Sequence, residues 1–161
     1  MLQGVNRLKK SFLIPVISIL VIILDIITKA IIVNKVAYHE IIRVLPFINI
    51  VHIQNRGAAF GLFADFGNIF FIVVSMIAIL FILYYLKAVQ KRMEIISLSL
   101  VLGGAVGNLI DRIRIGKVTD FIDFYVNNWH WPSFNIADSA LTVGIILFLW
   151  SNIFGSDHFE K

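Results

Sequence analysis

Residues 68–86 form an apolar run without one charged side chain, and this feature constrains the fold more than any other. About 20 consecutive apolar residues, coiled as a helix, cross the ~30 Å hydrocarbon core of a bilayer. In water such a helix would be apolar on every side, with too little protein to cover it. Three more stretches share the character: 12–33, interrupted by Asp25 and Lys29; 95–111, short and rich in small residues; and 138–154. Composition agrees. Of 161 residues 59% are hydrophobic and 15% charged, and the mean hydropathy is +0.89; a soluble domain carries about 25% charged residues. The sequence therefore predicts an all-α membrane protein, a single membrane-embedded domain over 1–161 with four transmembrane helices.

The third span is short enough to require that its polar ends sit inside the membrane boundary, or that the bilayer thins. The first span follows Arg7, Lys9 and Lys10 but is not a cleavable signal peptide. Its apolar run exceeds the ~7–15 residues of such a core, no small-x-small cleavage site follows, and three more spans come after it.

Lys and Arg in short loops set orientation. Arg7, Lys9 and Lys10 mark the N-terminus as cytoplasmic, and Lys87, Lys91 and Arg92 do the same for the connection between spans two and three. An even number of crossings separates the two signals, so they agree. Both termini are then cytoplasmic and segments 34–67 and 112–137 face outward, although Arg112, Arg114 and Lys117 run against the rule. The net charge of +4 collects at span ends. It is an orientation signal, and no nucleic-acid partner is expected. Residues 43–54 are rich in Ile and Val, with partial alternation at 51–54, which predicts a small β-containing segment between helices one and two. Pro46 confines its first strand to an edge or a bend.

There is no cysteine, which excludes a thiol nucleophile, a disulfide framework and a cysteine-rich zinc site. The histidines at 39, 52, 130 and 158 lack metal-ligand spacing, so no metal is expected. No GxSxG is present, and the glycine-rich run at 103–107 lies inside an apolar span, where it is no phosphate loop. Carboxylate chemistry remains. Glu40, Asp65, Glu94, Asp157 and Glu160 lie in loops or at outer ends, where a solvated charge is the ordinary reading. Asp25, Asp111, Asp120, Asp123 and Asp138 all fall on one side of the membrane, and ionisable residues near spans are functional candidates by default.

Each also has a structural reading. Asp25 and Lys29 are spaced i, i+4 and read as a buried ion pair tying helices together. Asn108 and Asp111 share a helix face, and Asp111 beside Arg112 reads as a structural pair. Gly103 and Gly107 form a small-xxx-small pattern that admits a neighbouring backbone. Residues 118–124 are amphipathic and aromatic, which suits a segment lying in the headgroup zone. Either Asp120 or Asp123 then reads as a solvated surface charge, and residue type does not choose between them. Asn135 is a good N-cap for the fourth helix, which puts Asp138 in its first turn. Two carboxylates held close share a proton, so that one can activate water while the other protonates a carbonyl oxygen or leaving amine.

Five motifs, LDIITK at 24–29, QNRGAAFGLF at 54–63, GGAVGNLIDR at 103–112, GKVTDF at 116–121 and FNIADSALTVG at 134–144, follow one another across most of the chain. In that order, on four spans, the sequence resembles the prolipoprotein signal peptidase (signal peptidase II) family. The resemblance implies an aspartic endopeptidase of the bacterial cytoplasmic membrane, acting as a monomer near the outer face without cofactor. Its substrate would be a prolipoprotein carrying a diacylglyceryl cysteine, cut on the amino side of that cysteine, with lipid as the other partner. It implies Asp120 and Asp138 as the catalytic dyad, which leaves Asp123 outside. Asn55, Asn108, Asp111, Arg112, Asn135, Asp25 and Lys29 match supporting or substrate-binding positions, and segment 34–67 would cover the site. Ile26 departs from the family, which usually has Gln there. Two other classes compete: a transporter subunit, which would usually show inverted repeats and broken helices, and a non-catalytic assembly factor.

Orientation has a direct test, because no native cysteine confuses labelling. With single substitutions Lys9→Cys, Gln90→Cys and Asn127→Cys, an impermeant thiol reagent on whole cells should label only position 127. Labelling of the first two with the third spared would invert the topology.

Overall fold

The computed structural model describes residues 2–57 and 63–154. Positions 58–62 of the second motif and the tail after 154, including its expected cytoplasmic placement, lie outside the described residues. Four helices carry the apolar stretches: α1 (Leu2–Lys35), α2 (Gly67–Ala88), α3 (Arg92–Ile115) and α4 (Ile136–Phe154). Each contains a segment long and apolar enough to span a membrane. At 1.5 Å per residue, the 22 residues of α2 reach ~33 Å, enough for the hydrocarbon core. Large apolar side chains such as Ile69, Ile77, Leu80 and Phe81 on α2 and Ile146, Trp150 and Ile153 on α4 point outward. That is the disposition expected where lipid is the solvent.

Helix α3 is the centre of the bundle and packs against α1, α2 and α4. It is longer than the sequence suggested, running past Asp111 to Ile115. Its polar residues need not lie beyond the bilayer, because neighbouring elements supply their partners. Its glycines make the close approach possible. A Cβ on Gly103 would lie 2.8 Å from Val21 Cβ and 2.9 Å from the Ser18 carbonyl oxygen of α1. One on Gly104 would fall onto the Ala137 carbonyl of α4, and one on Gly107 would lie 2.8 Å from Asp25 Oδ2 and 3.2 Å from Ala137 Cβ. The expected small-xxx-small seam therefore serves two helices at once.

The end of the bundle holding the α2–α3 connection is closed by Ile82, Leu86, Val89, Ile95, Leu98 and Leu102. Lys10 Nζ donates there to the carbonyls of Lys87 (3.0 Å) and Val89 (2.6 Å). The opposite end carries an antiparallel sheet in the order β1 (Ile41–Leu45), β2 (Ile48–Asn55), β3 (Val118–Val126), β4 (Trp129–His130). One or two short strands were expected over residues 43–54, and β1 and β2 are found there. The third was not expected: the segment 118–124, read as amphipathic and suited to the headgroup zone, is a strand paired with β2 from Val118 to Phe124. Residues 118–121 are all buried, so no polar face alternates with an apolar one and the period-two signal is absent. Gly116 delivers the chain to β3. It ends α3 at φ 74°, its N–H donating to the Arg112 carbonyl at 3.1 Å, a left-handed turn that suits glycine.

Gly107→Leu should lower thermal stability by at least the ~1–3 kcal/mol of an overpacked core, and Gly107→Ala by less. Val143→Leu, on an exposed face of α4, should leave the melting temperature unchanged in detergent. Parental stability in Gly107→Leu would mean that α1 and α4 do not close on α3 there.

Candidate active site

At the sheet end, Asn135 precedes α4 and caps it as its position predicts. Asn135 Oδ1 accepts the Asp138 N–H at 2.9 Å, and Asp138 Oδ2 accepts the Asn135 N–H at 3.3 Å. This reciprocal capping box ties the Asp138 carboxylate to the helix end. The Asn135 amide, with no exposed surface, also donates Nδ2–H to Asp120 Oδ1 at 2.8 Å and to Asn108 Oδ1 at 3.2 Å. One buried residue thus touches both carboxylates, that of β3 through its side-chain amide and that of α4 through its backbone N–H.

The remaining oxygens are held from other directions. Asn55, at the end of β2, donates Nδ2–H to Asp120 Oδ2 at 3.1 Å and accepts the Gly57 N–H at 2.8 Å. Asn108 of α3 donates Nδ2–H to Asp138 Oδ1 at 2.7 Å. Behind Asn108 sits Lys29 of α1. Its ammonium reaches Asp25 Oδ2 at 2.7 Å, Asp111 Oδ2 at 3.1 Å and Asn108 Oδ1 at 3.1 Å. Asp25 accepts the Ala137 N–H at 3.0 Å, and Asp111 accepts the Thr119 N–H at 3.1 Å. The pair read from the i, i+4 spacing therefore joins α1 to α3, α4 and β3.

Arg112 corrects another expectation. It does not pair with Asp111, its neighbour in sequence, because adjacent residues on a helix point about 100° apart. Its Nη2 donates to the Gly57 carbonyl at 3.0 Å and its guanidinium lies over the Phe71 ring, 4.4 Å from the centroid. Nη1 is buried without a hydrogen-bond partner among the described residues. Asn68 Nδ2 donates to the Arg112 carbonyl at 2.9 Å.

These groups form the polar end of a cavity of about 680 Å³ that contains Asp120, Asp138, Asn55, Asn108 and Arg112. Its walls are apolar: Phe124, Trp129, Trp131 and Phe134 on the strand side, Leu141 and Val143 on α4. Asp120 is 2% exposed. Burial pushes its carboxyl up to about 7, and the charge of Asp138 pushes the same way. Hydrogen bonds from Asn55 and Asn135 and the charge of Lys29 pull it back only in part.

Neither aspartate of β3 is a solvated surface charge: Asp123 is 4% exposed. It does not line the cavity. Three residues from Asp120 on a strand, it faces the other way, where Asn49 Nδ2 donates to it at 2.7 Å and His130 Nδ1 at 2.9 Å. All nine residues singled out beside it, Asp25, Lys29, Asn55, Asn108, Asp111, Arg112, Asn135, Asp120 and Asp138, join one network through the contacts above. The sequence reading missed Gly57, Thr119, Asn49 and His130, along with the cavity tryptophans. The first two act through backbone groups, which no side-chain pattern reports. The Trp129-His130-Trp131 alternation was a visible strand signal that puts the rings on one face and the imidazole on the other.

The family model for signal peptidase (SPase) II matches residues 17–154. A lipoprotein signal peptidase of Thermodesulfovibrio yellowstonii is 42% identical over 135 residues, covering 83% of this chain and 90% of that protein. One from Burkholderia thailandensis is 45% identical over 141 residues, 85% of each. A bacterial membrane enzyme solved by the in meso method at 2.3 Å superposes with a TM-score of 0.81 at 34% identity, covering 92% of this chain and 93% of that one. With a network of carboxylates and amides assembled on four membrane-spanning helices, and with relatives matching nearly end to end, this chain belongs to the signal peptidase II family of bacterial membrane proteases that process lipoproteins.

Proposed function

We propose that the chain is an aspartic endopeptidase that removes the signal peptide from diacylglyceryl-modified prolipoproteins, with Asp120 and Asp138 as its dyad. It cuts on the amino side of the lipidated cysteine. The observation that carries the reading is Asn135, which holds both carboxylates at the polar end of one cavity. An amide in that position can fix the two acids without exchanging protons with either.

Charge and proton divide between them. Asp138 sits at a helix N-terminus and accepts from Asn108 and the Asn135 backbone, a setting that favours the anion. Asp120, raised to about 7, holds the proton. Asp138 takes a proton from water as the water oxygen attacks the scissile carbonyl carbon, and Asp120 gives its proton to the carbonyl oxygen. Asp138 then protonates the cysteine nitrogen as the C–N bond breaks, and a proton from the collapsing diol returns to Asp120. Arg112, which lines the cavity with Gly57 and whose Nη1 has no hydrogen-bond partner among the described residues, donates to a substrate backbone carbonyl. Asn55 holds Asp120 and the Gly57 N–H. The apolar walls suit a substrate that is an apolar helix with acyl chains attached, and because one chain supplies both acids a monomer suffices. The sheet end faces the outer leaflet, as the loop charges require.

Asp120→Asn and Asp138→Asn should each abolish cleavage of a diacylglyceryl prolipoprotein by purified, folded protein in detergent. The loss should exceed the ~10²–10⁴ of a single acid–base transfer, and the double variant should be little worse, since the pair acts as a unit. Asp123→Asn, on the other face of β3, should keep the parental kcat. Near-parental turnover by either dyad variant would sink the mechanism.

The pH profile follows from Asp120. Its pKa is raised, so the protonated form prevails below about 7 and kcat/KM should fall as pH rises through that value. In the free enzyme's profile the alkaline limb should track this group. A rate that keeps rising above pH 7 would place the required proton elsewhere.

A further inference from the structure

Asp123 and His130 are absorbed by none of the chemistry above, yet they form a built cluster. Asp123 is buried and accepts from Asn49 of β2 at 2.7 Å and from His130 of β4 at 2.9 and 3.0 Å. Both of its oxygens are acceptors, so the His130 Nδ1 must carry a hydrogen. The imidazole also stacks on Tyr125, with centroids 5.5 Å apart and planes at 19°. Strand β4 is two residues long and pairs with β3 at Tyr125↔His130 and Val126↔Trp129; beyond it the Trp131 N–H donates to the Phe124 carbonyl at 2.8 Å and Phe134 bridges to Ile122. A two-stranded hairpin is marginal by itself, even with those backbone bonds. The His130 side chain, through Asp123, ties it to the interior strand and on to β2.

What the hairpin carries is the aromatic wall. Alternation puts Trp129 and Trp131 on the face opposite His130, and both line the cavity that holds Asp120 and Asp138. Their rings lie 6.0 Å apart at 61°. An indole offers an apolar body and one N–H donor, the combination that settles at the boundary between acyl chains and headgroups. A cysteine bearing a diacylglyceryl group presents acyl chains and ester carbonyls at that boundary, next to the bond to be cut.

We propose that Asn49, Asp123 and His130 are positioning residues for substrate selection: they hold the β3–β4 hairpin so that Trp129 and Trp131 receive the diacylglyceryl group of the cysteine. The inference rests on the proposed function and deepens it. It predicts an effect on recognition of the lipid that leaves the acid–base step alone.

The test measures kcat on a diacylglyceryl prolipoprotein together with competition by two probes. One is a short-chain diacylglyceryl-cysteine amide, the other the unlipidated signal peptide. His130→Ala should raise the inhibition constant of the lipid probe roughly five- to tenfold, the scale of one lost aromatic contact. It should leave kcat and the constant of the unlipidated peptide within twofold. His130→Gln, whose amide N–H can still donate to Asp123, should restore most of the affinity. In a Trp129→Ala, Trp131→Ala background, which binds the lipid probe weakly by itself, His130→Ala should add nothing. An unchanged lipid-probe constant, a fall in kcat, a shift confined to the unlipidated peptide, or additive effects would each overturn the inference. If the parent protein cuts the lipidated substrate and any of these results appears, the inference alone falls. If the parent cuts no lipidated substrate, the proposed function falls and takes the inference with it.

Discussion

The buried ammonium of Lys29 organises the sheet end of the molecule. An isolated charge in that position would be intolerable, and the chain solves the problem by bringing Asp25, Asp111 and Asn108 to within about hydrogen-bond distance of it. Satisfying one cation in this way has wide consequences. Asp25 holds the first turn of α4 through the Ala137 N–H, Asp111 holds the start of β3 through the Thr119 N–H, and Asn108 reaches Asp138. The elements bearing Asp120 and Asp138 are therefore placed by charges that take no part in the proposed chemistry. Removing one member would leave another buried and unpaired, so such a cluster is all-or-nothing.

That arrangement depends on how closely the helices approach. Gly103, Gly104 and Gly107 leave no side chain between α3 and the backbones of α1 and α4. Without a hydrophobic driving force between helices in lipid, close packing and interhelical hydrogen bonds do the assembling. Here the two coincide. Gly107 opens the space that Asp25 fills, and Asn108, the next residue, carries the amide that links Lys29 to Asp138. The third helix is rich in small residues because it is the surface on which the others are laid.

Strand β3 divides labour between its faces. One presents Asp120 to the cavity, beside Phe124. The other sends Asp123 toward Asn49 and His130. Both aspartates are buried, and what separates them is the company they keep. Asp120 receives amides alone and the charge of a second carboxylate, which raises its pKa. Asp123 is bound by an amide and an imidazole. Adjacent motifs on one strand can thus serve chemistry and anchoring without interfering, since the pleat keeps them apart.

Much of this was legible in the chain itself. Four apolar runs determine four helices, because only a backbone that satisfies itself can cross a bilayer. Asp25 and Lys29 at i, i+4 determine a local pair, and Asn135 three residues before Asp138 determines a cap, since both are contacts within one helix or its first turn. Even the side shared by the five inner aspartates followed from counting crossings. What tertiary structure decided was every contact made across the fold. Residues 118–124 do not read as a strand until β2 pairs along their edge, and residues 118–121 are then buried. Arg112 looks like the partner of Asp111 until the helix turns it toward Gly57 and Phe71. The pairing of Asn49 with Asp123, and the choice between Asp120 and Asp123 as the residue facing the cavity, depend on register and on which face the bundle closes. Sequence spacing encodes neither, because residues 74 positions apart meet only when a sheet is built over helices that have already packed.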